Sequence, residues 1–193
     1  TQSIIITNVT NYDVSSLLDA LNCKELHLSQ KLNQEETEAL VRAMSSGFEI
    51  LHLDMDYVNL NFDSFRKYHG DGNCKEIHIE TSQLQLFTDV RKQEVANLLN
   101  AINCKELYLS QRLNQEATEA LVRAMISRVE SVHLERDVGL VFETLKKYKG
   151  DGKCKKVHIT SYYSYQTLDH NLTQLLDSVS CKELYLHHQR LYK

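Results

Sequence analysis

The sequence contains a long internal duplication. Residues 22–44 read NCKELHLSQKLNQEETEALVRAM and residues 103–125 read NCKELYLSQRLNQEATEALVRAM, so 20 of 23 positions are identical. A second pair of segments, RKYHGDGNCKEIHI from Arg66 and KKYKGDGKCKKVHI from Lys146, has nearly the same separation. Such identity indicates a single repetitive domain over residues 1–193, with duplicated blocks at 23–103 and 104–180.

Each block contains a shorter repeat, in which two apolar residues flank a single other residue. The pairs recur every 22 to 30 residues. Period-two alternation over five or six residues is typical of a strand that buries one face. Eight short strands are therefore predicted, with the following paired residues: Ile4/Ile6, Leu26/Leu28, Leu51/Leu53, Ile77/Ile79, Leu107/Leu109, Val132/Leu134, Val157/Ile159 and Leu184/Leu186.

Amphipathic segments follow most of these pairs. A helix is predicted over residues 34–45, and Asn33 with Glu36 matches a capping box at its start. In the second block Ala117 replaces that glutamate, so half of the box remains. Both copies of a Gly-Asp-Gly sequence predict turns. The apolar stripes are Ala39/Leu40/Ala43/Met44, Val14/Leu17/Leu18/Leu21, Val95/Leu98/Leu99/Ile102 and Leu168/Leu172/Leu175/Leu176.

A unit of strand, turn and helix in about 26 residues buries its apolar face only by stacking on its neighbours. The pattern of Cys or an apolar residue followed by x-x-L-x-L, with the tail NQEETEALVRAM, resembles the leucine-rich repeat superfamily. The tail is similar to the ribonuclease-inhibitor-like repeats of nucleotide-binding leucine-rich-repeat receptors. The resemblance implies an α/β horseshoe solenoid, with about eight parallel strands on the concave face and helices on the convex face. The asparagine that the family stacks at the ninth repeat position is missing here.

The residue between each apolar pair must point to the opposite face of its strand. In a leucine-rich-repeat stack this would be the open, concave surface. We expect a protein partner to bind there, because aromatic side chains dominate interface energies. The candidate partner-binding residues are His27, His52, His78, Tyr108, His133, His158 and Tyr185, together with the acids Asp54, Glu80 and Glu135 on the same face.

Two chemical alternatives involve this face. His27, His52 and His78 could converge on Zn²⁺ or Ni²⁺ together with Asp54 or Glu80, because neighbouring strands are about 4.8 Å apart. A serine, a histidine and an acid also share the face, but an open sheet offers no oxyanion hole. We expect no catalytic residue, no resident metal and no cofactor, and therefore no enzymatic activity, although the sequence leaves metal binding by the histidine column open.

All five cysteines occupy the first position of a repeat, which predicts reduced, mostly buried thiols and hence a cytoplasmic, reducing compartment. The formal net charge of −4 argues against a nucleic-acid partner, which would need a basic face. No apolar run approaches the 18 residues that indicate a membrane span. The cysteines are Cys23, Cys74, Cys104, Cys154 and Cys181.

We therefore expect a non-enzymatic protein-protein interaction or ligand-recognition module. The resemblance implies the sensor region of an intracellular innate-immune receptor. The alternative is a structural adaptor or scaffold, such as a ubiquitin-ligase substrate receptor. We also expect the chain to be a fragment of a larger protein, because solenoids need polar caps, and we expect self-association through uncapped ends that include Ile4, Ile6, Leu184, Leu186 and Leu191.

Overall fold

The computed structural model describes residues 2–9, 13–80, 89–110, 113–135, 141–163 and 177–190. Within these ranges it has eight strands and six helices that alternate over most of the chain. The strands are β1 (Ser3–Thr7), β2 (Glu25–Ser29), β3 (Ile50–Asp54), β4 (Glu76–Glu80), β5 (Glu106–Leu109), β6 (Ser131–Glu135), β7 (Lys156–Tyr163) and β8 (Glu183–Arg190). The helices are α1 (Val14–Asp19), α2 (Gln34–Ser46), α3 (Phe62–Phe65), α4 (Asp89–Ala101), α5 (Gln115–Ser127) and α6 (Phe142–Leu145).

All eight strands belong to one parallel sheet, in which they follow each other in sequence order. Consecutive helices contact each other along the series from α1 to α6. The register pairs equivalent residues of successive repeats, so that Leu26 lies beside Leu51 and Leu51 beside Ile77. The predicted α/β architecture with eight parallel strands is confirmed.

The apolar pairs form the inner layer of the core. From β2 to β7 every paired residue is at most 2% exposed. These side chains pack in one cluster with the apolar stripes of the helices, including Leu40 and Met44 of α2. Among the described elements, the helices therefore cover one face of the sheet and leave the other face open. The predicted stripes of α2 and α4 are buried throughout, whereas Leu17 is 40% exposed because the six-residue α1 buries only Val14 and Leu18.

Local hydrogen bonds define the starts of α2 and α5 as the sequence predicts. The Asn33 side chain accepts from the Glu36 amide at 2.9 Å, and the Glu36 carboxylate accepts from the Asn33 amide at 2.8 Å. The second block retains only the first of these bonds, from the Ala117 amide to Asn114 at 2.8 Å. The stripe predicted at Leu168, Leu172, Leu175 and Leu176 lies outside the described residues.

Both Gly-Asp-Gly sequences form turns that only glycine accommodates. Gly70 and Gly150 have φ angles of +76° and +73°, which side chains rarely tolerate. A Cβ atom on Gly72 would lie 2.5 Å from the Ser45 Cα atom of the preceding repeat. The turns therefore let successive units stack closely.

The cysteines lie under the sheet as free thiols. Three of them are buried, and burial raises the pKa of the Cys74 thiol to about 12. Cys23 and Cys181 are half-buried, so three of the five thiols are fully buried and the other two are partly covered. The buried cysteines are Cys74, Cys104 and Cys154.

The two edges of the sheet differ from each other. On β8, Leu184 and Leu186 are 41% and 56% exposed. On β1, Ile6 is only 1% exposed, although it belongs to the first strand of the sheet. Leu191 lies outside the described residues. Among the helices described, none combines the length and the apolar character needed to cross a bilayer.

Candidate functional site

Seven ring side chains occupy one continuous row across the open face of the sheet. The parallel register places each ring directly beside the equivalent ring of the next strand. Ile5 continues the row onto β1 and is 67% exposed. We call the seven residues the ring ladder: His27, His52, His78, Tyr108, His133, His158 and Tyr185.

The rings of the ladder stack face to face. The six successive centroid separations are 4.0, 4.2, 4.1, 3.8, 4.1 and 4.4 Å. Five of the six ring pairs are within 12° of parallel, and only His52 and His78 are tilted more, by 29°. Because the strands are about as far apart as stacked rings, the sheet itself sets this spacing. Stacking leaves the His52, His78 and His133 side chains only 18 to 20% exposed although they lie on the open face.

Several rings also hydrogen-bond to the carboxylate two residues earlier on the same strand. His78 Nε2 is 2.6 Å from Glu76 Oε1. The hydroxyl of Tyr108 donates to Glu106 at 3.3 Å, and that of Tyr185 donates to Glu183 at 2.5 Å. Residues two apart on a strand share a face, so this spacing is the signal that assigns Glu76 and Glu106 to the site. Both acids are additional to the candidate binding residues that the sequence predicts.

Two rings have no acceptor at that position and contact the next strand instead. Ile50 lies two residues before His52, and the His52 Nδ1 atom lies 3.2 Å from Glu80 Oε1 on β4. Lys156 lies two residues before His158, and the His158 Nδ1 atom lies 3.1 Å from His187 Nε2 on β8. His187 is therefore a further site residue, additional to the candidates that the sequence predicts.

The remaining predicted acids lie at the other border of the ladder. In the strand register Asp54 of β3 lies beside Glu80 of β4, and Glu135 of β6 lies beside Thr160 of β7 at the equivalent point of the second block. One Asp54 oxygen accepts from the Asp56 amide at 3.1 Å, which ties this carboxylate to the turn after β3. A hollow of about 220 Å³ opens beside the ladder. Its lining residues are His78, Glu80, Tyr108, Leu109, Ser110, His133, Leu134, Glu135 and Thr160.

The environment of the ladder favours neutral rings. Burial lowers the pKa of His27, His78 and His158, and it lowers the pKa of His133 to about 4. Repulsion from the adjacent His158 adds to the effect at His133, whereas Glu106 opposes it. Burial also raises the pKa of Tyr108 to about 12. At neutral pH these rings therefore form an uncharged strip beside carboxylates.

Two groups of ligand atoms at the β2–β4 end of the ladder are close enough to approach one metal ion. In each group, one ligand atom from each residue lies within 4.8 Å of the other two. One group is Glu25, His27 and His52, and the other is His52, His78 and Glu80. Asp54, the other acid that the sequence offered as a ligand, belongs to neither group found among the described residues.

Comparison with known proteins yields no further assignment. No protein-family model, curated protein or solved structure matches the chain.

Proposed function

We propose that this chain is a non-enzymatic protein-recognition module, a leucine-rich-repeat solenoid that binds a protein ligand across its concave sheet face. The observation that carries the proposal is the ring ladder. Seven stacked rings lie on the face of the sheet that the helices leave open. Repeat proteins bind partners over extended surfaces of this kind.

The ladder is organised before any partner arrives. Each inner ring is held between two others, and several rings are also hydrogen-bonded to a carboxylate. Side chains that are already ordered lose little conformational entropy on binding, which leaves more of the contact energy for affinity. Tyr108 and His133, at the middle of the row, have the shortest ring separation, 3.8 Å. They are the expected centre of the interface.

The border of the ladder selects the chemistry of the partner. Glu76 and Glu106 lie along one side, and Glu80 and Glu135 lie along the other. A partner that fits therefore has an aromatic or apolar centre and basic residues around it, since complementary charges set specificity and association rate. A segment of peptide rich in arginine and aromatic residues meets both requirements.

The same proposal includes the biological setting that the repeat pattern suggests. Five free cysteines, three of them buried, suit a reducing cytoplasmic compartment. The resemblance to receptor repeats supports a sensor region of an innate-immune receptor as the context of this surface. Self-association through the exposed Leu184 and Leu186 of β8 also belongs to this proposal.

The experiment that tests the proposal is selection from a random displayed-peptide library on the immobilised chain, with a chelator in all buffers. Peptides enriched on the wild-type chain should contain aromatic and basic residues. Tyr108→Ala and His133→Ala should each weaken their binding about thirtyfold, the effect of a typical interface hot spot of about 2 kcal/mol.

Arg42→Ala is the matched control, because Arg42 lies on the helical side of the sheet. It belongs to α2 and forms an ion pair with Asp19 of α1 at 2.8 Å. This control should bind the selected peptides as the wild-type chain does. If the peptides bind Tyr108→Ala and His133→Ala normally but lose affinity for Arg42→Ala, recognition uses the helical face and the proposal is wrong.

A further inference from the structure

Three potential metal ligands meet at one end of the ring ladder. The Nδ1 atoms of His52 and His78 lie 3.2 and 3.9 Å from the same oxygen, Glu80 Oε1. A tetrahedral Zn²⁺ ion with bonds of 2.0 to 2.1 Å holds its ligand atoms about 3.4 Å apart. The existing separations therefore bracket the spacing that an ion would impose, and movements of a few tenths of an ångström would suffice for these two contacts.

A hydrogen bond outside this group orients one of the ligands. Glu76 Oε1 is 2.6 Å from His78 Nε2, and an ionised carboxylate can only accept a hydrogen bond. His78 Nε2 therefore carries the ring proton, which leaves a lone pair on Nδ1, the atom that faces Glu80. A carboxylate that holds the second nitrogen of a ligating histidine is a common support for metal sites in proteins.

The ring orientations at this point differ from those of the rest of the ladder. A nitrogen lone pair lies in the plane of its ring, so two parallel stacked rings cannot both direct lone pairs at one ion. The His52 and His78 rings are inclined by 29°, whereas the other ring pairs of the ladder lie within 12° of parallel. The inclined pair is thus the pair that shares Glu80, and ion binding would increase its tilt.

The duplicated block repeats the two histidines without the carboxylates. His133 and His158 correspond to His52 and His78, and their rings also stack, at 4.1 Å. Thr160 stands where the first block has Glu80, and Lys156 stands where it has Glu76. The second block therefore lacks both the third ligand and the orienting acid.

We propose that His52, His78 and Glu80 form a binding site for one divalent transition-metal ion of the Zn²⁺ class, with Glu76 as the positioning residue for His78. Two imidazoles and one carboxylate suit Zn²⁺ with a water molecule as fourth ligand. Mg²⁺ and Ca²⁺ prefer all-oxygen sites and are not expected to bind here. The half-exposed Glu80 side chain provides access from solvent.

The protonation changes are simple. Without the ion, the His52 Nδ1–H group donates to Glu80. When the ion binds to Nδ1, the proton on that atom is released, and Nε2 of the same ring takes up a proton. His52 therefore remains a neutral ligand. His78 already has the required tautomer.

The test is calorimetric titration of Zn²⁺ into the complete, chelator-treated chain at pH 7. We expect one ion per chain. Glu80→Gln and His78→Tyr should each weaken binding at least tenfold, and Glu76→Gln should weaken it about tenfold, as other orienting residues do. His158→Tyr and Glu25→Gln are the matched controls and should bind Zn²⁺ as the wild-type chain does. Tyrosine already occurs in this ladder at position 108, so both His→Tyr variants are expected to keep the stack.

Titration with Co²⁺ provides a second readout, because cysteine ligands would add intense thiolate charge-transfer bands that nitrogen and oxygen ligands do not produce. Their absence, together with loss of binding in Glu80→Gln, supports the site. The proposal is overturned if the wild-type chain binds no Zn²⁺, if His158→Tyr and His78→Tyr weaken binding equally, or if Glu25→Gln rather than Glu80→Gln abolishes it. Peptide recognition in the presence of chelator is independent of all these outcomes.

Discussion

Acidification should destabilise the fold through His133. This ring is stacked between Tyr108 and His158, and its side chain is only 20% exposed. Burial lowers its pKa from 6.5 to about 4, with a further contribution from His158, although Glu106 lies 3.3 Å from Nε2 and favours the charged form. The folded state therefore resists protonation of this imidazole.

The sign of the effect follows from proton binding. Between pH 6.5 and about 4 the unfolded chain holds a proton on residue 133 that the folded chain does not. The free energy of unfolding is thus fully maintained above pH 6.5 and falls as the pH drops through this window. Below the window, His133 causes no further decrease in the free energy of unfolding. If the ring were completely shielded from water, acidification would lower the free energy of unfolding by about 3 kcal/mol. Because the side chain is partly exposed and solvent screens its charge, we expect about 1 to 2 kcal/mol.

The assay is urea unfolding of the wild-type chain and His133→Tyr at pH 7.0, 5.5 and 4.5. Tyrosine stacks in the same row at position 108 but has no charge change in this range. His133→Tyr should therefore lose about 1 to 2 kcal/mol less than the wild-type chain on acidification. His27→Tyr is the comparison variant with a smaller expected effect, because the His27 side chain is 36% exposed. Parallel pH profiles for wild-type and His133→Tyr would refute the reasoning.

Three further results are expected. Asn33→Ala should lower the free energy of unfolding by about 1 kcal/mol, because it removes the acceptor of the Glu36 amide; an unchanged urea midpoint would contradict this. Gly72→Ala should destabilise the chain by about 1 to 3 kcal/mol, because its Cβ would lie 2.5 Å from the Ser45 Cα; thermal unfolding at wild-type temperature would show that the turn relaxes freely. In thiol titration all five cysteines should react after unfolding, and fast modification of the buried ones in the folded chain would contradict their burial. Slow native-state reaction is expected for Cys74, Cys104 and Cys154, whose thiol pKa values burial raises.

The local features of this protein were predictable from the sequence. Period-two alternation located the strands and assigned Leu26 and Leu28 to the core and His27 to the opposite face. The capping pattern located the start of α2 at Gln34. Each of these features depends on residues within a few positions of one another, so the repeat alone carries the information. The internal duplication also indicated that the units stack, because one unit cannot bury its apolar face by itself.

The chemistry of the open face depended on contacts between strands. The sequence placed His52 and Glu80 on one face, but only the register and the side-chain orientations bring Nδ1 within 3.2 Å of that carboxylate. The ring spacing and the lowered pKa of His133 likewise arise from neighbours on strands 22 or more residues away in the chain. The substitution of Glu80 by Thr160 in the second block was visible in the sequence. Its consequence became apparent only when the sheet placed the acid against two imidazoles, because a ligand group is a property of distances that sequence spacing does not determine.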